Sequence, residues 1–261
     1  MNNESNFFSI LTPIEAGNLY KNCDEIRNES NIEKLIPTLH QCFDINLTLR
    51  KSYDFINEGE LLVISAETLE IKREKHKEKY KSNLIYIIYS IIYYITKRFF
   101  PRLPFFSYLY WKYFPYKNYA ISKAEFQGRA IYAGFDIVSE YRTEDLHYLL
   151  VRKNKLARKL MGNTKTSYCP IILLERVGQN GKIIKIHKFR TMHPYSEYIQ
   201  KYILSINGVG AKGKIRNDYR ITRLGRFMRK YWIDEIPQIL DIFTRKINIV
   251  GPRAASQIYL E

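Results

Sequence analysis

The chain has 261 residues, of which 46% are hydrophobic and 15% aromatic, enough to bury the core of one large or two small domains. A formal net charge of +16 favours a phosphate-rich or anionic partner, such as a nucleotide, a membrane surface or a nucleic acid. Cys23, Cys42 and Cys169 are widely spaced, which excludes a disulfide framework and indicates a reducing, cytosolic environment.

The first 82 residues contain few strong patterns. Met1 to Phe8 has no basic segment followed by an apolar core, so we do not expect a signal peptide. Asn31 to Phe43 has helical periodicity, whereas Gly59 to Ser65 is typical of a buried strand. Lys72 to Lys81 alternates basic and acidic residues, which predicts an exposed helix end.

The most apolar run of the chain is Leu84 to Ile95, which is too short for a standard transmembrane helix of about 20 residues. Aromatic residues mixed with lysine and arginine follow it as far as Lys117, a composition typical of a membrane interface. We therefore expect residues 83–117 to form an interfacial or re-entrant membrane contact. The alternative is a buried core helix followed by an aromatic loop.

A third unit extends from Ile121 to Lys153. Ser122 can cap a helix that Gly134 ends, and two strands follow, Phe135 to Tyr141 and Leu146 to Val151. This succession resembles the C-terminal part of a class I methyltransferase. No glycine-rich loop for S-adenosylmethionine follows a strand, so the resemblance implies a non-catalytic α/β scaffold over residues 1–155.

The segment from Arg216 to Arg253 concentrates the chemistry of the chain. Asp234 and Glu235 are adjacent carboxylates, and Pro237 is tolerated only in a first helical turn. We therefore expect a helix that begins near Asp234, with Asp234 as its N-cap. Its apolar face consists of Ile236, Ile239, Leu240 and Phe243. A dense basic run precedes it, formed by Arg216, Arg220, Arg223, Arg226, Arg229 and Lys230.

These residue types together can handle phosphate. A diphosphate would meet backbone donors of the helix start and several guanidinium groups. A carboxylate among arginines stays ionised and can act as a nucleophile, and a second carboxylate can hold a divalent cation. The alternative is ordinary helix capping with surface ion pairs.

Short motifs in a particular order flank the carboxylates. Upstream are Glu175 to Gly178, Asn180 to Lys182 and Lys188 to Met192; downstream are Asp218, Arg220, Thr222, Gly225 to Phe227, Arg229-Lys230, Asp234-Glu235, Pro237-Gln238 and Val250 to Arg253. In this order the set resembles the bacterial sugar transferases, the monotopic polyprenyl-phosphate glycosyl-1-phosphate transferases. The resemblance extends from about Ser167 to Arg253.

The resemblance implies a specific reaction. A hexose-1-phosphate moves from a UDP-sugar to a polyprenyl phosphate with Mg²⁺ as cofactor, and this step starts polysaccharide or glycoconjugate synthesis. Asp234 attacks the sugar-proximal phosphate and releases UMP, Glu235 helps to bind magnesium together with Asp234, and Arg229 binds phosphate. The further substrate- or phosphate-binding candidates are Lys188, Arg190, Arg226 and Arg253.

The expected architecture is therefore a mixed α/β (α+β) chain. An N-terminal methyltransferase-like scaffold with an interfacial apolar helix precedes a small helical and β catalytic domain at residues 165–261. The resemblance implies the cytoplasmic face of the bacterial inner membrane. The sequence departs from the family pattern in one respect. The family carries a re-entrant apolar hairpin directly before the segment matching Ser167 to Gly178, whereas Arg152 to Lys165 is polar and basic.

Two other functions are the alternatives. The family continues beyond the Gly-Pro-Arg motif while this chain stops at Glu261, so a truncated or inactive scaffold is the first. A basic nucleic-acid-binding module is the second, but no signature of such a module is present, and we expect no nucleic-acid partner. The sequence identifies neither the sugar, nor the lipid, nor the oligomeric state.

Overall fold

A computed structural model describes residues 32–35, 38, 39, 42, 45–80, 82–96, 121–154, 169–210 and 214–251. Helices and strands are both present, which confirms the mixed α/β class. The first part of the chain contains β1 (Ile32–Leu35), α1 (Ile45–Phe55), β2 (Leu61–Ala66), α2 (Leu69–Lys79), α3 (Asn83–Tyr94), α4 (Lys123–Ala133), β3 (Phe135–Arg142) and β4 (His147–Lys153).

The four strands form one sheet in the order β1-β2-β4-β3. β1 pairs parallel to β2, and the other two pairings are antiparallel. The predicted helix over Asn31 to Phe43 is therefore wrong at Ile32–Leu35. Pairing with Leu61 to Val63 overrides the helical periodicity of this stretch, since a strand is stabilised by its neighbour more than by its own sequence.

The core of this part lies between the sheet and helices α1 and α4. Every residue of β2 is buried, which confirms the strand expected at Gly59 to Ser65. The Ser122 side chain accepts from Glu125 N at 3.1 Å and begins α4, and Gly134, with φ of 105°, ends it. Both caps confirm the predicted helix. The resemblance of this part to a class I methyltransferase stays a prediction.

The apolar run forms α3, which contacts α2. Tyr89 Oη lies 2.7 Å from His76 Nε2, and the two rings stack with centroids 4.7 Å apart. At least half of the surface of six apolar side chains is exposed, and we call them the open side of α3: Leu84, Ile85, Ile87, Ile88, Ile91 and Ile92. A buried core helix is therefore wrong. Residues 97–117 of the expected membrane segment lie outside the described residues.

The second part contains β5 (Ile171–Val177), β6 (Ile183–Phe189), α5 (Gln200–Asn207), α6 (Arg223–Lys230), a 3-10 helix (Ile233–Gln238) and α7 (Ile239–Phe243). β5 and β6 form an antiparallel hairpin. No helix in the described ranges has both the length and the apolar character needed to cross a membrane.

The two parts pack tightly on each other through α4. A Cβ added to Gly128 would lie 2.3 Å from the carbonyl oxygen of Tyr195, so only glycine permits this approach. The guanidinium of Arg129 lies 4.5 Å from the centre of the Tyr195 ring. Ile199 and Ile203 are fully buried against Ala124. The first part thus holds the second in a defined position.

Candidate active site

The β5–β6 hairpin brings a lysine to the two adjacent carboxylates. Lys188 Nζ lies 3.0 Å from Asp234 Oδ2 and 2.9 Å from Glu235 Oε1. Asp234 is only 5% exposed, and Glu235 is half-buried. One ammonium group therefore bridges both carboxylates and offsets a buried negative charge that would otherwise be costly.

The backbone turns sharply just before Asp234. Trp232 has φ of 59°, in the left-handed region that residues with a side chain seldom occupy, and the 3-10 helix starts directly after it. Asp234 therefore lies inside the first turn, with Trp232 in the N-cap position. The prediction that Asp234 caps the helix is wrong, because the left-handed turn places the N-cap two residues earlier, at Trp232. Pro237 lies within this short helix.

Arg229 lies in the last turn of α6, and a buried threonine holds it. Its Nε donates to Thr191 Oγ1 at 2.9 Å. The carbonyl oxygen of Thr191 in turn accepts from Thr222 N at 2.9 Å, at the start of α6. Gly225 allows this packing, because a Cβ there would lie 2.0 Å from Thr191 O. Thr191 therefore fixes both the helix and the direction of the guanidinium group.

Opposing effects act on the pKa of the Arg229 guanidinium. Burial lowers its pKa, whereas the negative charges of Asp234 and Asp218 raise it. The positive charge of Arg220 lowers the pKa further. An arginine remains protonated at neutral pH in spite of such shifts. A permanent positive charge therefore acts on the Asp234 carboxylate in addition to that of Lys188.

Asp241, which the sequence analysis did not select, is fully buried beside this cluster. Its carboxylate accepts from the backbone N of His187 at 2.7 Å and lies 2.8 Å from His187 Nδ1. These contacts fasten α7 to β6 one residue before Lys188. An Asp at a helical position amid apolar neighbours was the only signal in the sequence, and its partner lies 54 residues away.

Of the other three predicted cations, two belong to the second part of the chain and one lies outside the described residues. Arg190 donates from Nε to Cys169 O at 3.0 Å and lines a neighbouring cavity. Arg226 is exposed on α6. Arg253 lies outside the described residues. The structure thus brings together Lys188, Arg229, Asp234 and Glu235.

The carboxylate pair fits the ligand chemistry of magnesium, which prefers oxygen and is usually held by one or two carboxylates plus substrate phosphates. The Lys188 ammonium already marks a cation position between Asp234 and Glu235. Within the described part of the chain, no group of three or more Asp, Glu, His or Cys residues could hold a metal ion.

Apolar side chains on both sides of Asp234 in the sequence are exposed. We call them the α6–α7 apolar surface: Leu224, Phe227, Tyr231, Trp232, Ile236, Ile239, Leu240, Phe243, Ile249 and Val250. The apolar face expected for residues 236–243 is thus present, and it faces outward. A concentration of exposed apolar side chains is typical of an interaction surface.

Residues 156–261 match the bacterial sugar transferase family. The C-terminal part of the chain is thus similar to the bacterial sugar transferases.

Individual relatives match the same part of the chain. Galactosyl transferase CpsE of Streptococcus agalactiae is 42% identical over 79 residues, which are 30% of this chain and 18% of that protein. The undecaprenyl-phosphate galactose phosphotransferase of Salmonella typhimurium is 37% identical over 84 residues, again 30% of this chain and 18% of that protein. Exopolysaccharide production protein ExoY of Rhizobium meliloti is 36% identical over 91 residues, or 33% of this chain and 40% of that protein. The matched stretches thus span less than half of these relatives.

Proposed function

We propose that this protein transfers a hexose-1-phosphate from a UDP-sugar to a polyprenyl phosphate at a membrane surface. The observation that carries the proposal is the buried Asp234 carboxylate, which pairs with Lys188 beside Glu235 and Arg229. The name of the Salmonella relative, an undecaprenyl-phosphate galactose phosphotransferase, supports the same class of reaction.

In the first half-reaction, a carboxylate oxygen of Asp234 attacks the sugar-proximal phosphorus of the UDP-sugar. An acyl phosphate bond forms, the bond from that phosphorus to the bridging oxygen breaks, and UMP leaves with the electron pair. Lys188 and Arg229 are suited to offset the charge on the diphosphate, since charge-assisted hydrogen bonds to phosphate are strong.

In the second half-reaction, a phosphate oxygen of the lipid attacks the same phosphorus. The bond between phosphorus and the Asp234 oxygen breaks, and the carboxylate is regenerated. The product is a polyprenyl diphosphate sugar. Burial of Asp234 keeps water away from the intermediate between the two steps, and this protects the acyl phosphate from hydrolysis.

Magnesium would be held by Glu235 and Asp234 together with the phosphates of the donor. When bound, it would offset negative charge on the diphosphate. Lys188 would then share the carboxylates with the metal or move onto a phosphate.

The exposed apolar side chains favour action at a membrane. The α6–α7 apolar surface and the open side of α3 both present apolar groups outward, and the net charge of +16 attracts anionic lipid headgroups. We infer a peripheral or monotopic position on the cytoplasmic face of the bacterial inner membrane.

The covalent step can be tested without lipid. Incubation with UDP-sugars labelled in the sugar-proximal phosphate should label the wild-type protein on Asp234 and release UMP. Asp234→Asn retains the shape of the side chain but removes the nucleophile, so it should give no label and a turnover lower by orders of magnitude. The matched control, Asp145→Asn, changes an exposed carboxylate paired with Lys75 and should label normally. Normal turnover by Asp234→Asn would overturn the covalent mechanism.

A further inference from the structure

A cavity of about 490 Å³ lies between the two parts of the chain, beside the candidate active site. Helices α2 and α3 form one wall, and the segment after β6 with the first turn of α6 forms the other. Its size falls within the range of roughly 300–1,000 Å³ typical of small-ligand sites. Much of its wall belongs to residues before 156, outside the part that matches the sugar transferase family.

Among the described residues, the charges that line this cavity all have one sign, apart from two histidines. The cationic side chains are Lys72, Arg73, Arg190 and Arg223, and no Asp or Glu from the described ranges lies beside them. Cations gathered in a partly enclosed site with low-polarity walls attract an anion strongly, because the field is focused there. The cavity is therefore suited to a phosphate group.

The other lining groups are mainly apolar and aromatic, and they extend to an open mouth. Ile87 and Ile91 of α3 both line the cavity, yet 51% and 53% of their surfaces are exposed. Leu224 of α6 lines it as well and is 45% exposed. A ligand that fits both the cationic lining and the apolar mouth has a phosphate head and an apolar tail. The tail would leave the cavity along α3.

Contacts with α2 hold the α3 wall of the cavity in place. Tyr89 lines the cavity and bonds to His76 of α2, and its ring also lies 5.1 Å from that of Tyr80. Arg190 is likewise held, through its Nε, on the carbonyl of Cys169. Tyr89 and Arg190 thus have set positions before a ligand arrives, which lowers the entropic cost of binding.

Two continuous segments join the cavity to the carboxylates. Arg190 and Met192 line the cavity on either side of Thr191, which holds Arg229. Helix α6 starts in the cavity at Arg223 and reaches Arg229 six residues later, about 9 Å along its axis. A phosphate in the cavity would thus lie next to the groups proposed to bind the donor.

We propose that this cavity is the acceptor site, where the phosphate and first isoprene units of the lipid bind. This inference rests on the proposed transfer reaction. The UDP-sugar fits the cavity poorly, because it has no apolar tail to contact Ile87, Ile91 and Leu224. The first part of the chain, far from being only a scaffold, would supply two of the four cations that bind the acceptor.

Binding can be measured directly on the full chain in detergent, with farnesyl phosphate as the probe. Farnesyl phosphate should raise the thermal unfolding midpoint, because a ligand that binds only the folded state stabilises it. Farnesol lacks the phosphate group and inorganic phosphate lacks the apolar tail, so each should raise the unfolding midpoint far less. Equal stabilisation by inorganic phosphate would overturn a lipid site in favour of a general anion site.

The double variant Lys72→Glu/Arg73→Glu should abolish stabilisation by farnesyl phosphate. It should also raise KM for the lipid phosphate by about tenfold or more, since lost charge-assisted contacts weaken binding by that order. Acceptor-independent UMP release should stay normal. The matched control Lys77→Glu/Lys79→Glu makes the same charge change on α2 outside the cavity and should behave as wild type. The neutral variant Lys72→Gln/Arg73→Gln covers the case in which charge reversal prevents folding.

The outcomes separate this inference from the proposed function. Absence of UMP release from the wild type would overturn the proposed function itself. Normal UMP release, with cavity and control variants that respond equally to farnesyl phosphate, would overturn only the acceptor site.

Discussion

The carboxylate of Asp241 is fully buried, and its contacts explain how Lys188 is held toward Asp234. Both the backbone N–H and the ring of His187 contact it, so β6 is fastened to α7 at the residue directly before Lys188. Lys246 adds a longer ion pair at 3.7 Å. Asp241 therefore acts as a positioning residue, since no reacting group touches it.

Asp241→Ala should lower the free energy of unfolding by about 2–4 kcal/mol. It leaves the part-buried N–H of His187 without its acceptor and removes the carboxylate that contacts the His187 ring. Asp241→Asn should cost less, because its amide oxygen can still accept one of the two contacts. The shift in the urea midpoint at constant slope measures both effects.

The control for Asp241 is again an exposed carboxylate. Asp145→Ala breaks only the surface ion pair with Lys75 and should cost less than about 1 kcal/mol. If Asp241→Ala costs no more than this control, the pairing with His187 does not stabilise the fold.

Among whole elements, the joint between α4 and the second part of the chain depends on a glycine and a tyrosine. Gly128 lets α4 touch the backbone at Tyr195. Tyr219 Oη donates to Gln127 of α4 at 2.7 Å, and Lys123 lies over its ring. Helix α4 of the first part thus forms the surface against which the second part packs.

Gly128→Ala should destabilise the protein by about 1–3 kcal/mol, although alanine favours an isolated helix by roughly 1 kcal/mol. The new methyl group would meet backbone atoms of Tyr195, which cannot move aside as a flexible side chain can. Urea unfolding monitored by circular dichroism measures the change. The control Ser205→Ala, at an exposed position of α5, should be neutral or slightly stabilising. A gain in stability from Gly128→Ala would show that the two parts do not touch there.

Local patterns in the sequence were sufficient for several elements. Several predictions that depend only on neighbouring residues are confirmed. They are the caps Ser122 and Gly134, the two strands that follow and the buried strand β2. The motif order also selected Lys188, Asp234, Glu235 and Arg229, which the structure brings together although 46 residues separate Lys188 from Asp234. Their chemical roles stay a prediction.

Features that depend on distant contacts could not be found in this way. The strand β1 exists because of its parallel partner, and the left-handed turn at Trp232 moves the helix start away from Asp234. The pairing of Asp241 with His187 and the cavity between the two parts depend on tertiary packing. No periodicity within a single segment encodes such arrangements.

At the scale of the whole molecule, exposed apolar side chains occur on helices from both parts of the chain. The open side of α3 and the α6–α7 apolar surface together account for most of the large exposed hydrophobic groups among the described residues. Membranes bind such surfaces in proportion to the apolar area buried, with basic residues adding attraction. The distribution supports a protein that rests on lipid rather than one surrounded by water.

Ile88→Asp/Ile92→Asp should reduce cosedimentation with anionic vesicles several-fold without unfolding the protein. Both side chains are at least half exposed, so neither contributes to the core. The control Leu47→Asp/Ile206→Asp alters two side chains that are each 50% exposed on α1 and α5. Equal loss for both pairs would contradict a membrane role for α3. Retention of the wild type on nucleic acid, with no binding to vesicles, would favour the nucleic-acid alternative.

The close fit at Gly128 has a consequence for rebuilding this chain. Tyr195, Ile199 and Ile203 are almost entirely covered, and separating the second part from α4 would expose them to solvent. The second part therefore could not be moved intact onto another protein. A chimera of this chain with a relative would have to include α4 or a redesigned surface in the place of α4.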